Sequence, residues 1–169
     1  MSEIPARDIQ ILPATDSDYE DVMAISGGIY KGTDYLPIRY HMWLKDPQRK
    51  MFVARSEGKV VAFDSFVLVD GGFTAVMQGL RVAPWIRGCG VAGIIQRKCI
   101  DTLRSNHPNV TKVRLTRAQD PSPSIKSKYH LVHSKAVVSL ILRNDQLTDA
   151  IMLLEQKVNK LEGKDLLLH

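Results

Sequence analysis

Gly79-Leu-Arg-Val-Ala-Pro-Trp-Ile-Arg-Gly-Cys-Gly-Val-Ala-Gly-Ile-Ile-Gln-Arg-Lys-Cys-Ile-Asp-Thr-Leu103 is the stretch on which the fold turns. Leu80 and Val82 alternate with Arg81, the period of a half-buried strand, and Pro84 stops it. Gly88 and Gly90 allow a tight loop and a close backbone approach to a ligand. From Val91 the apolar spacing becomes helical, through Ile94, Ile95, Ile100 and Leu103. A glycine loop opening a helix leaves several backbone N–H groups without acceptors, all at the positive end of the helix dipole. That is an anion site, best suited to a phosphate.

Upstream of this unit the chain reads as a strand meander. Ile9, Ile11 and Leu12 suggest a first strand ending at Pro13. A helix over 18–26 follows, with Ser17 and Glu20 as its capping box and Val22, Ile25 and Ile29 facing inward. A second helix is expected from Ile38 to Lys45, stopped by Asp46-Pro47. Strands over 51–55, 60–69 and 73–82 are separated by the hairpin turns Glu57-Gly58-Lys59 and Asp70-Gly71-Gly72. Downstream, Val110 to Ala118 alternates as a fifth strand, parallel to the fourth because a helix joins them. Ile125 to Leu131 suggests a short helix and Lys135 to Arg143 a sixth strand. A last helix carries Leu147, Ile151, Leu154, Val158 and Leu161 on one face. Hairpins followed by a loop and helix give an α+β chain rather than a repeated βαβ one.

The 169 residues are enough for one substantial core, and 44% of them are apolar. The net charge of +5 suits an anionic small ligand. It is too diffuse for nucleic acid, since no dense basic run interleaves with aromatics. No apolar run approaches the length of a membrane span, and the N-terminus has no signal-like core. Cys89 and Cys99 form no Cys-x-x-Cys pair and read as reduced thiols, so a cytoplasmic protein is expected. His130 and His133 stand three apart without a third ligand, which argues against a metal.

Gly88-Cys-Gly-Val-Ala-Gly93 matches the dinucleotide fingerprint Gly-x-Gly-x-x-Gly. That fold wants its loop after the first strand, with an acidic residue about 20 positions on. Here about eighty residues precede the loop, and Lys112 and Arg114 stand where the acid belongs, which argues against NAD though not against NADP. Leu-Arg-Val-Ala-Pro-x-x-Arg-Gly-x-Gly-Val-Ala, from Leu80 to Ala92, instead resembles the acyl-CoA loop of the GCN5-related N-acetyltransferases. The resemblance implies a mixed central sheet with helices on both faces and with strands four and five parallel and splayed. It implies acetyl-CoA as cosubstrate, held by Leu80, Arg81, Val82, Arg87, Gly88, Cys89, Gly90, Val91 and Ala92. It also puts Tyr30, Asp34, Tyr35, Arg39 and Trp43 at the acceptor. The proton donor would be a tyrosine after strand five, here Tyr129, without the Gly-Phe that usually follows. Gln78 stands near the strand-four position where many members carry a glutamate. Asp64, interrupting an apolar strand, is then the best substitute for the base.

Asp-Tyr-Glu-Asp-Val-Met-Ala-Ile-Ser from Asp18, Asp-Tyr-Leu-Pro from Asp34 and Gly-Leu-Arg-Val-Ala-Pro-Trp from Gly79 resemble, more narrowly, the vertebrate histidine N-acetyltransferase family. By that likeness the expected reaction is acetyl transfer to the α-amine of a free amino acid, L-histidine first. A protein N-terminus or a polyamine is the alternative acceptor. A non-catalytic CoA-binding or partner-binding domain is the alternative class, suggested by Gln78. Chains of that family run well past this length. The resemblance therefore implies an acetyltransferase domain over 7–143, then a helix and stub over 144–169 belonging to a fragment or short isoform.

Overall fold

The computed structural model describes residues 9–29, 34–116, 120–134 and 144–159. The chain forms two compact units, Met1–Asp120 and Pro121–His169. The first is built on a five-stranded sheet, β1 (Ile9–Pro13), β2 (Arg49–Ser56), β3 (Lys59–Val69), β4 (Thr74–Val82) and β5 (Lys112–Leu115), arranged in chain order. Neighbours are antiparallel except β4 and β5, which run parallel through the crossover helix α3 (Val91–Asn106). Helices α1 (Tyr19–Ile25) and α2 (Leu36–Leu44) complete this unit. The mixed sheet with a parallel β4–β5 pair is the α+β arrangement expected.

Strand alternation sorts the core into two faces. Phe63 packs toward α2, its ring centroid 5.8 Å from that of Tyr40. Its neighbour Asp64 points the other way, to Cys99 on α3. Phe52 and Phe66 share the α3 face, with centroids 6.3 Å apart. Tyr40 is fully buried, and its hydroxyl donates to the carbonyl of Thr15 at 2.8 Å, so the buried phenol is satisfied.

Several boundaries differ from the sequence reading. The cap before α1 is built from Thr15 and Asp18, not Ser17 and Glu20. Both the Thr15 N–H and its hydroxyl donate to Asp18 Oδ2 at 2.7 Å. Burial pushes Asp18 up, but those bonds and the charged contact from Arg55 outweigh it and hold the carboxyl below its ordinary value. The pairing with Arg55, far along the chain, selects this acid over Glu20. Helix α2 starts at Leu36 rather than Ile38, because Pro37 fits a first turn that needs no N–H. The same holds in the second unit, where α4 is Pro123–Lys126, with Ser122 at the N-cap position, instead of a helix over 125–131. Strand β2 begins two residues early, at Arg49. Strand β5 begins two residues later than expected, while the last two residues of the expected strand, 117 and 118, and the expected sixth strand lie outside the described residues. Helix α5 (Leu147–Asn159) is present in the second unit.

Candidate active site

Strand β4 carries the irregularity on which the site is built. Ser65 pairs with Gln78 and Phe63 with Arg81, so Asp64 alone faces both Gly79 and Leu80. This is a β-bulge, and Gly79 occupies it at φ 89°, a conformation that favours glycine. The bulge turns Gln78, Gly79 and Arg81 toward the α2 face. The β4–β5 pairs run from Thr74–Lys112 to Met77–Leu115, ending where the bulge begins.

β4 leads through a 3-10 turn at Pro84–Ile86 into the glycine loop. Gly88 and Gly90 both have positive φ, 85° and 79°, and Gly90 is the N-cap of α3, which no side chain caps. The first helical bond there runs from the Ile94 N–H to the Gly90 carbonyl at 3.2 Å, so the first-turn amides ahead of it have no intrahelical acceptor. Arg87 is exposed, and its Nε donates to the Val82 carbonyl at 3.1 Å, pinning the side chain's stem to the end of β4. Gly88, Cys89 and Gly90, which follow it, are exposed as well. The loop, the open helix end and a cation together fit a pyrophosphate. Val91 is buried beneath, Ala92 half-buried, and Leu80 lies at the surface of β4.

On the α2 face an open cavity of about 520 Å³ is lined by Tyr35, Arg39, Trp43, Arg49, Val67 and Gln78. It abuts the bulge, because the Trp43 ring packs against the α-carbon of Gly79. Tyr35 and Trp43 form its aromatic walls, with ring centroids 5.7 Å apart. Arg49 is buried, its guanidinium carbon 3.8 Å from the centre of the Trp43 ring. Arg49 donates from Nη1 to Ser65 Oγ at 3.1 Å and from Nη2 to Gln78 Oε1 at 2.8 Å. Burial lowers its pKa and nearby Arg39 lowers it further, against the pull of Asp46 and Tyr35.

The structure thus brings Tyr35, Arg39 and Trp43 together. Asp34 is otherwise engaged: its Oδ1 accepts from the buried Arg81 at 2.6 Å and from the Leu36 N–H at 3.0 Å, anchoring α2 to β4. Tyr30 lies outside the described residues. Sequence reasoning missed Arg49 and the binding potential of Gln78. The available signal was parity, since Arg49 shares the inward face of Met51 and Val53.

Asp64 is buried, and the Ser65 N–H donates to its Oδ1 at 2.9 Å. Burial raises its pKa to about 7, against the lowering by Ser65, by the Cys99 thiol 3.9 Å from Oδ2, and by Arg81. Its carboxyl occupies the α3 face, whereas the cavity opens on the α2 face. Tyr129 belongs to the second unit, where it is partly exposed and its N–H donates to the Ile125 carbonyl at 3.0 Å. Among the described residues no cluster of three or more metal-ligating side chains occurs. None of the described helices is long and apolar enough to cross a membrane.

A mixed sheet with a bulged fourth strand, feeding a glycine loop at an open helix end, is the α+β frame of the first unit. The chain belongs to the acetyltransferase (GNAT) family, whose sequence model matches residues 16–126. Enzymes of this family use acetyl-CoA as acetyl donor. The chain is 45% identical over 136 residues to a human protein described as probable N-acetyltransferase 16, covering 80% of this chain and 37% of that protein. It is 41% identical over 133 residues to the histidine N-acetyltransferase of Xenopus tropicalis, covering 79% of this chain and 41% of the relative. The chain therefore spans about two fifths of the length of the curated relatives it matches. Among solved structures, a Trypanosoma brucei acetyltransferase superposes with a TM-score of 0.60 at 16% identity, covering 79% of this chain and 100% of that one. An aminoglycoside 6'-N-acetyltransferase from Acinetobacter haemolyticus gives 0.57 at 17%, covering 79% and 98%. At such identities these two establish the fold alone.

Proposed function

We propose that the chain transfers acetyl from acetyl-CoA to the α-amine of a free amino acid, with L-histidine as first candidate. The observation that carries the proposal is the cavity of Tyr35, Arg39, Trp43, Arg49, Val67 and Gln78, set against the bulge of the strand that leads to the glycine loop. The names of the amphibian and fish relatives at 40–41% identity support histidine as acceptor.

Acetyl-CoA, when bound, supplies an acetyl thioester. The α3 N-terminus and Arg87 would hold the pyrophosphate, and the β4 segment beyond its Met77–Leu115 pair with β5 would receive the pantetheine chain as a further strand would be received. The bulge brings the aromatic cavity to this same strand, so binding two substrates on one rigid element fixes their approach. The acceptor nitrogen forms the new bond to the acetyl carbon, the carbon–sulfur bond breaks, the nitrogen loses a proton and the thiolate gains one. Tyr129 is the proposed donor to sulfur. Asp64, half ionised near pH 7, is the proposed sink for the amine proton. Its carboxyl lies on the far face of β3, so it would not touch the amine directly.

The test is to incubate the chain with acetyl-CoA and L-histidine, following free thiol and Nα-acetylhistidine by mass spectrometry. Formation of both in equal amounts supports the proposal. Acetyl-CoA binding without turnover on any amine would establish the second reading, a non-catalytic CoA-binding domain. The tie between Gln78 and Arg49, at a position where family members often have a glutamate, favours that second reading.

A further inference from the structure

Among the described residues, the two arginines of the cavity have no counter-charge on its walls. Its lining comprises two guanidiniums, a carboxamide, a phenol, an indole and a valine, with no carboxylate. Arg49 is held rigidly by Ser65, Gln78 and the Trp43 ring, which together use one hydrogen on each terminal nitrogen. Its Nε has no hydrogen-bond partner, and the nearest acid, Asp46 Oδ2, is 3.9 Å away. A buried cation so thinly compensated is costly unless something negative completes it. Gln78 sharpens the point. Since Arg49 donates to its Oε1, the amide nitrogen of Gln78 remains as one more donor at the cavity wall. A glutamate there would neutralise Arg49 from within the protein; glutamine leaves the charge for a ligand.

We propose that Arg39, Arg49 and the Gln78 amide form a subsite for the carboxylate of the acceptor, which makes the cavity selective for free α-amino acids. An amine without a neighbouring carboxylate, such as a polyamine or a peptide N-terminus, meets two cations and gains nothing from them. Tyr35 and Trp43 would flank a flat side chain, a role consistent with an imidazole. The inference rests on the acetyl-transfer reading for calling the occupant an acceptor, but the carboxylate preference can be measured without turnover.

The experiment is calorimetric titration of the chain, saturated with CoA, with L-histidine, L-histidinamide and histamine, extended to the other common α-amino acids and their amides. Charge-assisted hydrogen bonds predict that the amino acid binds about ten- to a hundredfold more tightly than its amide or its decarboxylated amine. Exposed Arg39 tolerates Arg39→Gln, which should weaken L-histidine about tenfold and leave histamine within about twofold. Gln78→Glu should remove or invert the preference for the carboxylate; circular dichroism checks that both variants fold. Equal affinity for acid and amide, or failure of every α-amino acid to bind, overturns the proposal. If L-histidine binds with the stated preference but no thiol is released, the carboxylate subsite stands and acetyl transfer falls. If thiol is released with histamine as fast as with L-histidine, acetyl transfer stands and the carboxylate subsite falls.

Discussion

The ring of Phe63 closes against the α-carbon of Gly79: a Cβ built there would stand 3.0 Å from Phe63 Cε1 and 3.2 Å from Trp43 Cζ3. Two rings from different elements thus meet at the one strand residue that has no side chain. The bulge is fixed from both sides, by a positive φ that other residues resist and by two rings that would have to yield by a few tenths of an ångström to admit a methyl.

Gly79→Ala should therefore cost about 2 to 4 kcal/mol, the sum of backbone strain and overpacking. Gly58→Ala is the control, because Gly58 also has a positive φ, 77°, with open space around it. It should cost about 1 kcal/mol from the backbone alone. Urea denaturation of both variants measures the difference. Equal losses would mean that the rings give way and the bulge is not held by packing.

Arg87→Ala should weaken acetyl-CoA about ten- to a hundredfold, as expected for a charge-assisted contact. The unliganded melting temperature should hardly move, since Arg87 is exposed and tied only to one strand-end carbonyl. The readout is the thermal shift with acetyl-CoA, which at about 100 times Kd amounts to about 2.7 kcal/mol. NADPH is the control ligand. A variant with the full shift would remove Arg87 from the pyrophosphate site.

The loop and helix were legible because their signals are local: glycine spacing, a stop at Pro84, and a change from strand to helix period at Val91. The Arg49–Gln78 contact was not legible. It spans 29 residues and joins two strands that are not neighbours, and an arginine before Met51 reads locally as a charge at a strand end. The true cap escaped for the same reason. Thr15-Asp18 and Ser17-Glu20 are equivalent as sequence, and Arg55, which separates them, is 37 residues from Asp18. Asp64 was legible as an oddity, but the face it occupies depends on the register of β3 against β4, which the bulge shifts.

Tyr129→Phe removes only a hydroxyl from a partly exposed ring, so stability should change by less than about 0.5 kcal/mol. If this hydroxyl protonates the leaving thiolate, kcat should fall about a hundredfold or more with acetyl-CoA affinity unchanged. Stopped thiol release with an intact thermal shift is the expected pattern. An unchanged kcat would assign the proton to solvent.

Asp64 gives a pH dependence whose sign can be worked out. Its ordinary pKa is 3.8 and burial raises it to about 7 in the folded protein, with the Cys99 thiol on α3 and Arg81 on β4 as the other ionisable groups acting on it. Between those values the folded state holds more protons than the unfolded one, so Asp64 makes stability fall as pH rises. The loss begins near pH 4, proceeds at no more than about 1.4 kcal/mol per pH unit, and ends just above pH 7. Asp64→Asn keeps the shape and the acceptor for the Ser65 N–H while removing the charge. The unfolding free energy of the variant minus that of the parent should therefore rise from pH 4 to 7 and level off above 8. A flat difference would mean that the parent's carboxylate is solvated or paired in the folded state. Activity is read on the same variant. A folded, acetyl-CoA-binding Asp64→Asn chain with lost turnover would tie this carboxyl to the amine proton, and full turnover would reduce it to a buried structural acid.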